Sequence, residues 1–217
     1  MKLRTPLYVI NVKTYEESTC RNASHIAKEC ESAALSKKAS VVVCLEATDL
    51  RLSYKLKIPV FAQHVDAIEY GAHTGFTLPE SVYCAGAKGT LLNHSEHKIS
   101  LEVLKKSIER AKKVRLIVIA CAANPAEAAI IAKLKPDFIA VEPPELIGGE
   151  VSVAEAKPDV ISKTVKSAGK IPVLCGAGIK TKEDVKVALR LGAKGVLVAS
   201  HIVKAMNPKK ALESIIV

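Results

Sequence analysis

The sequence predicts an α/β protein of the closed (β/α)8 type with short helices, and three observations carry that expectation. Eight short apolar runs recur along the 217 residues: PLYVIN (6–11), SVVVCLE (40–46), IPVFAQ (58–63), GTLLN (89–93), RLIVIACA (115–122), FIAV (138–141), IPVLC (171–175) and GVLVA (195–199). These runs are continuously apolar and do not alternate with polar residues, as expected for strands covered on both faces of a parallel sheet. Helical patterns separate them, and 217 residues over eight units is about 27 residues each, close to the ~30 of a strand with its crossover helix. Eight buried parallel strands can lie in an open doubly wound sheet or close into a barrel. Eight similar units with no break in the pattern favour the barrel. No linker or low-complexity tract divides the chain, so residues 1–217 read as one barrel domain.

The helices carry their own punctuation. SHIAKECESAALSKK (24–38) follows the first strand. In SLEVLKKSIERAKK (100–113), Leu101, Leu104, Lys105, Ile108 and Ala111 form one mostly apolar stripe. NPAEAAIIAKL begins with Asn124 as N-cap, Pro125 at the first helical position and Glu127 reaching back. KPDVISKTVKSAG ends on Gly169, and TKEDVKVALRLG opens with a Thr181-x-x-Asp184 capping box and closes on Gly192.

Bulk composition excludes several classes. Hydrophobic residues make up 49% and charged residues 25%, an ordinary globular balance. No apolar run approaches the ~18 residues of a membrane helix. MKLRTPLYVINVK reads as a first strand and lacks a signal-peptide cleavage site, so a cytoplasmic protein without a membrane partner is expected. Six cysteines are scattered singly with no metal-ligand spacing, which predicts buried thiols and no metal. The net charge of +10 invites a nucleic-acid reading, but the lysines are dispersed and aromatics are only 4%, so stacking platforms are lacking and no nucleic-acid partner is expected.

A barrel of this kind places its chemistry at the C-terminal ends of its strands. The polar residues there are Asn11 and Lys13; Gln63, His64 and Asp66; Asn93, His94, Ser95 and Glu96; Glu142; and the small-residue stretches CGAGIKT and VASHIV. Each alone has a structural explanation. Together they supply a base, an electrophile and an anion cradle for a small phosphorylated substrate, with the last two loops where barrels commonly hold phosphate.

The stretches NVKTY, HVDAIEYGAHTG, GTLLNHSE, VEPPELIGG, VSVAEAKP, VLCGAGIKT and GVLVAS occur in this order over essentially the whole chain. They resemble the archaeal branch of the triosephosphate isomerases, with NHSE and VEPPELIG the most specific pieces. The resemblance implies a TIM barrel that interconverts glyceraldehyde 3-phosphate and dihydroxyacetone phosphate in glycolysis and gluconeogenesis, without a cofactor. It implies Glu142 as general base, His94 as neutral electrophile beside a short helical turn, Lys13 as stabiliser of the enediolate and phosphate, and Asn11 as orienting group. Glu96 and Ser95 would stand behind them. Substrate contacts would come from Asn11, Val12 and Lys13, and phosphate contacts from main-chain groups of Ile147, Gly178, Ala199 and Ser200. PPELIGG would open a lid. Thr74, in the long loop 64–75, would reach a neighbouring subunit in a homo-oligomer, a tetramer ahead of a dimer.

The chain departs from the family pattern in three places. The lid reads Ile147-Gly148-Gly149-Glu150 where Ile-Gly-Thr-Gly is commoner; His201 stands where glycine is common; and Val12 replaces an aromatic residue. Two other functions fit parts of the pattern. One is another phosphate-binding barrel isomerase or lyase, such as those of tryptophan or histidine biosynthesis, which lack NHSE and EPPELIG. The other is a non-catalytic barrel that binds phosphate or nucleic acid, supported only by the charge.

Overall fold

A computed structural model describes residues 3–143 and 158–217. Expectations that fall on 144–157, including Ile147 and the lid, lie outside the described residues. Eight strands run in chain order: β1 (Leu7–Asn11), β2 (Ser40–Leu45), β3 (Val60–Ala62), β4 (Gly89–Leu92), β5 (Ile117–Ala122), β6 (Phe138–Val141), β7 (Val173–Gly176) and β8 (Gly195–Val198). Each pairs in parallel with the next, and β8 pairs with β1, which closes the barrel.

Both faces of the strands are buried, as the continuous apolar runs require, but the two faces bury against different things. Leu7, Val9, Val42, Cys44, Phe61, Leu91, Ile119, Cys121, Phe138, Ala140, Leu174 and Leu197 form the smaller cluster, which fills the barrel. Their neighbours along the same strands, such as Tyr8, Ile10, Val43, Val118, Ile139 and Val196, belong to the larger cluster shared with the helices. The strand period of two therefore survives inside an unbroken hydrophobic string.

The helices are α1 (Arg21–Lys37), α2 (Pro79–Cys84), α3 (Leu101–Lys113), α4 (Pro125–Ala132), α5 (Pro158–Ala168), α6 (Lys182–Arg190), α7 (Ser200–Val203) and α8 (Pro208–Ile215). Between β2 and β3 the crossover is a 3-10 stretch, Ala47–Lys55. The capping signals act as expected. Asn124 Oδ1 accepts the Glu127 N–H at 2.9 Å, and Glu127 Oε2 reaches back to the Ala123 N–H at 2.7 Å.

Two expectations need correction. On α3 the buried face is Leu104, Ser107, Ile108, Arg110 and Ala111, while Leu101 is 50% exposed. Arg110 is buried because its guanidinium donates to the Ile68 carbonyl at 2.7 Å and to Glu80 at 2.5 Å, clamping the base of the 64–77 loop. Of the six cysteines, Cys30, Cys44, Cys121 and Cys175 are buried, but Cys20 and Cys84 are exposed.

The capping box at α6 yields a first prediction. Thr181 Oγ1 accepts the Asp184 N–H at 3.1 Å, and Asp184 Oδ2 accepts the Thr181 N–H at 2.8 Å. Thr181→Ala removes one half of the pair and should cost about 1 kcal/mol. In a chain of this size that lowers Tm by roughly 2–4 °C, read from a thermal melt by circular dichroism.

Candidate active site

Strand parity explains which side chains reach the barrel mouth. On β1, Leu7 and Val9 point into the barrel, so Asn11 does too. On β6, Phe138 and Ala140 point in, and Glu142 is the next residue of that parity just past the strand. Asn11 is 4% exposed, His94 7% and Glu142 6%, so three polar residues are enclosed where an otherwise apolar core ends.

Glu142 needs room, and β7 provides it. Val141 pairs with Cys175, which sets Gly176 beside Glu142. A Cβ on Gly176 would stand 2.4 Å from Glu142 Cγ. The carboxylate is also bordered by thiols. Burial and the neighbouring Glu142 charge push the Cys44 and Cys121 thiols up. Burial raises Cys175 as well, with Asp184 and Glu142 adding to it. These thiols stay neutral, so they border the base without competing with it for charge.

His94 faces Glu142 across a short gap, with Nε2 at 3.5 Å from Glu142 Oε2. That separation is beyond a normal hydrogen bond, and the buried Glu142 Oε2 has no hydrogen-bond partner among the described residues. The other ring nitrogen, Nδ1, accepts the Glu96 N–H at 3.2 Å as the 3-10 turn Ser95–His97 begins. A backbone N–H only donates, so Nδ1 carries no proton even though Glu96 Oε2 is 3.6 Å away. The ring proton is therefore on Nε2, the nitrogen nearer Glu142.

Lys13 occupies the adjacent wall. Its ammonium bonds Glu96 Oε1 at 2.6 Å, and its side chain is 11% exposed. Its backbone N–H is held by Asn11 Oδ1 at 3.1 Å, and its carbonyl accepts from Gln63 Nε2 at 2.9 Å. The far wall comes from the loops after β7 and β8. Asn11, Lys13, His94 and Glu142 share one cleft with Gly178, Ala199 and Ser200.

Most of the expected site is thus brought together. Val12 is buried in the outer core cluster, and its side chain does not line the cleft. Ser95 borders a small neighbouring hollow with Asn93, Lys98, Cys121 and Glu142. Thr74 is exposed and borders a separate groove with Gln63, His64, Asp66 and His97. His201 lines the cleft with its Nε2 buried and, among the described residues, without a hydrogen-bond partner. Burial pushes its imidazole pKa down, Lys180 adds to this, and Asp184 opposes it. The sequence reading missed Gly176 and the contact of Cys121 with Glu142. The period of two would have found both, since Gly176 and Cys121 share parity with inward-facing Leu174 and Ile119.

A closed parallel barrel with a carboxylate, a neutral imidazole that donates through Nε2 and an ammonium at its C-terminal mouth is the frame of a proton-transferring barrel enzyme. Comparison with known proteins narrows that class. The family model described as triosephosphate isomerase matches residues 6–216. Proteins named triosephosphate isomerase from Methanothermus fervidus, Methanobacterium bryantii and Methanosarcina acetivorans are 45%, 45% and 40% identical over 216, 213 and 217 residues. These alignments cover 97%, 96% and 98% of this chain, and 97%, 94% and 98% of the relatives. The chain belongs to the triosephosphate isomerase family, and it is an isomerase.

Gly176→Ala tests the geometry of the base. The added methyl forces the Glu142 side chain off its present path, since it would otherwise stand 2.4 Å from Cγ. Displacements of ~1 Å at a reacting centre can cost on the order of 10²-fold. A fall in kcat of that size with an unchanged circular dichroism spectrum is expected.

Proposed function

We propose that the chain interconverts glyceraldehyde 3-phosphate and dihydroxyacetone phosphate, with Glu142, His94, Lys13 and Asn11 as the groups that touch the substrate. The observation that carries this reading is the facing pair of Glu142 Oε2 and His94 Nε2, 3.5 Å apart and both buried. Pairing a carboxylate base with a neutral imidazole is already the established chemistry of this family, and the geometry of these residues supports the assignment.

The step balances without a cofactor. Glu142 takes a proton from the carbon next to the carbonyl. The electron pair of that C–H bond forms a carbon–carbon double bond, and the carbonyl pair moves onto oxygen. His94 donates through Nε2 to that oxygen, and the Lys13 ammonium offsets its charge. Glu142 then returns its proton to the former carbonyl carbon, while the hydroxyl on the first carbon gives its proton back to His94 Nε2 and becomes the new carbonyl, which yields the isomer and restores both groups. Asn11 supports the arrangement by fixing the Lys13 backbone at 3.1 Å.

The phosphate group would lie against the loops after β7 and β8, held by N–H groups of Gly178, Ala199 and Ser200. In support, these residues line the same cleft as Glu142, and their small side chains let a phosphate approach the backbone. For assembly, the 64–77 loop carries exposed Tyr70 and Phe76 beside Thr74, which supports docking against a second copy, a tetramer ahead of a dimer. The family supports a place for the reaction in glycolysis and gluconeogenesis, and with it the expectation of a cytoplasmic protein.

A coupled assay of glyceraldehyde 3-phosphate isomerisation tests the reading. The parent protein should turn over, and Glu142→Gln should lower kcat by about 10²–10⁴-fold, the range of a general acid–base group. Absence of activity in the parent protein would overturn it.

A further inference from the structure

Asn93 is the residue before His94, and the chemistry above gives it no role. It is 3% exposed and holds a left-handed backbone conformation with φ of 59°. Its side chain is fully engaged. Nδ2 donates to the Cys121 carbonyl at 3.0 Å and to Glu127 Oε1 at 3.0 Å, and Oδ1 accepts the Ile99 N–H at 3.3 Å. The last bond closes the loop that carries His94 and the Ser95–His97 turn into a ring.

Glu127 anchors that ring to the next βα unit. It lies in the first turn of α4. Its Oε1 accepts from Asn93 and from the Lys98 ammonium at 2.6 Å, and its Oε2 accepts the Ala123 N–H at 2.7 Å. Burial acts to raise the Glu127 pKa, but Lys98, the Ala123 N–H and Asn93 outweigh it and leave the carboxyl below its usual value, so it holds these donors as a carboxylate. Lys98 lies just past the turn that bonds His94 Nδ1. The loop is therefore gripped before His94, through Asn93, and after it, through Ile99 and Lys98.

Cys121 links this grip to the neighbourhood of the base, because its carbonyl accepts from Asn93 while its thiol lies close enough to Glu142 to feel its charge. One residue of β5 thus borders Glu142 and holds the residue before His94.

We infer that Asn93 and Glu127 are positioning residues. Together they hold the loop from Asn93 to Ile99 so that the Glu96 N–H stays on His94 Nδ1 and the His94 Nε2 proton stays aimed at the cleft. Neither residue touches the substrate. The inference rests on the isomerase reading for its kinetic consequence, but its structural content does not need turnover.

The experiment compares Asn93→Gly, Glu127→Ala, Glu127→Gln and Lys98→Met with the parent. Glycine keeps the left-handed backbone and deletes the three side-chain bonds, so it isolates the grip from strain. In Asn93→Gly and Glu127→Ala, kcat should fall by about 10- to 100-fold while KM changes by less than about twofold, the pattern of a misaligned reacting group. Glu127→Gln retains an acceptor oxygen and should recover most of the loss. Lys98→Met should cost less than Asn93→Gly, because Lys98 is 39% exposed. In parallel, ¹⁵N-edited spectra of the substrate-free proteins should show His94 as one ordered tautomer protonated at Nε2 in the parent. In Asn93→Gly and Glu127→Ala that signal should broaden or average. A parent without isomerase activity would overturn the proposed function, yet the imidazole spectra would still decide the positioning role. Folded Asn93→Gly and Glu127→Ala proteins with the parent's His94 signal would overturn the inference, as would losses seen only in Tm.

Discussion

A single backbone donor decides what His94 can do. The Glu96 N–H, 3.2 Å from Nδ1, fills the one acceptor site of a neutral imidazole and leaves Nε2 as a donor. Were the ring doubly protonated, an N–H would face an N–H, and the turn Ser95–His97 could not hold its present form. The turn itself is short, and its first residue must leave β4 through an abrupt change of direction. The tautomer of His94, the fold of the loop and the position of the ring beside Glu142 are therefore one constraint expressed in three ways.

Closure of the barrel makes that constraint effective. A polar group in an apolar interior is costly unless paired, and among the described residues Glu142 Oε2, in a residue 6% exposed, has no partner. Such an arrangement persists only where the surroundings hold it in place. Eight parallel strands with both faces covered do so, since neither strand register nor inner packing can shift for one side chain without disturbing its neighbours. The same closure sets β7 against β6, so that Gly176 lies where the carboxylate needs space.

The strands were legible because burial on both faces leaves an uninterrupted apolar run, and all eight stand out in the chain. That same uniformity hides which residues point inward, so the parity that aims Asn11 and Glu142 into the barrel emerges only once the pairing is known. Leu101 shows the opposite failure. It fits the apolar stripe of α3, yet the helix turns Ser107 and Arg110 inward instead, because Arg110 is required by the 64–77 loop some forty residues earlier. No local pattern carries that requirement. Gly176 and Cys121 were hidden for a related reason: small residues announce a close approach only when the approaching group, here Glu142, is known.

Backbone strain draws the boundary of the site more sharply than side-chain type does. Seven non-glycine residues among those described have positive φ. Lys38, Arg115 and Lys135 follow helices α1, α3 and α4, where a left-handed residue is an ordinary stop. Cys20 precedes α1. The remaining three, Lys13 at 53°, Asn93 at 59° and Ala177 at 72°, each follow a strand and stand at the same mouth of the barrel. Lys13 brings the ammonium round to Glu96, Asn93 launches His94, and Ala177 with Gly178 turns the chain toward the cleft. A left-handed non-glycine residue costs of order 1 kcal/mol or more, and two of these are held by side-chain bonds: Lys13 by Asn11 and Gln63, Asn93 by Cys121, Glu127 and Ile99. Strain that recurs at three strand ends on one face, and is braced at least twice, marks positions where the direction of a side chain or an N–H outweighs local backbone comfort. The bracing residues consequently belong to the working site as much as the groups that meet the substrate.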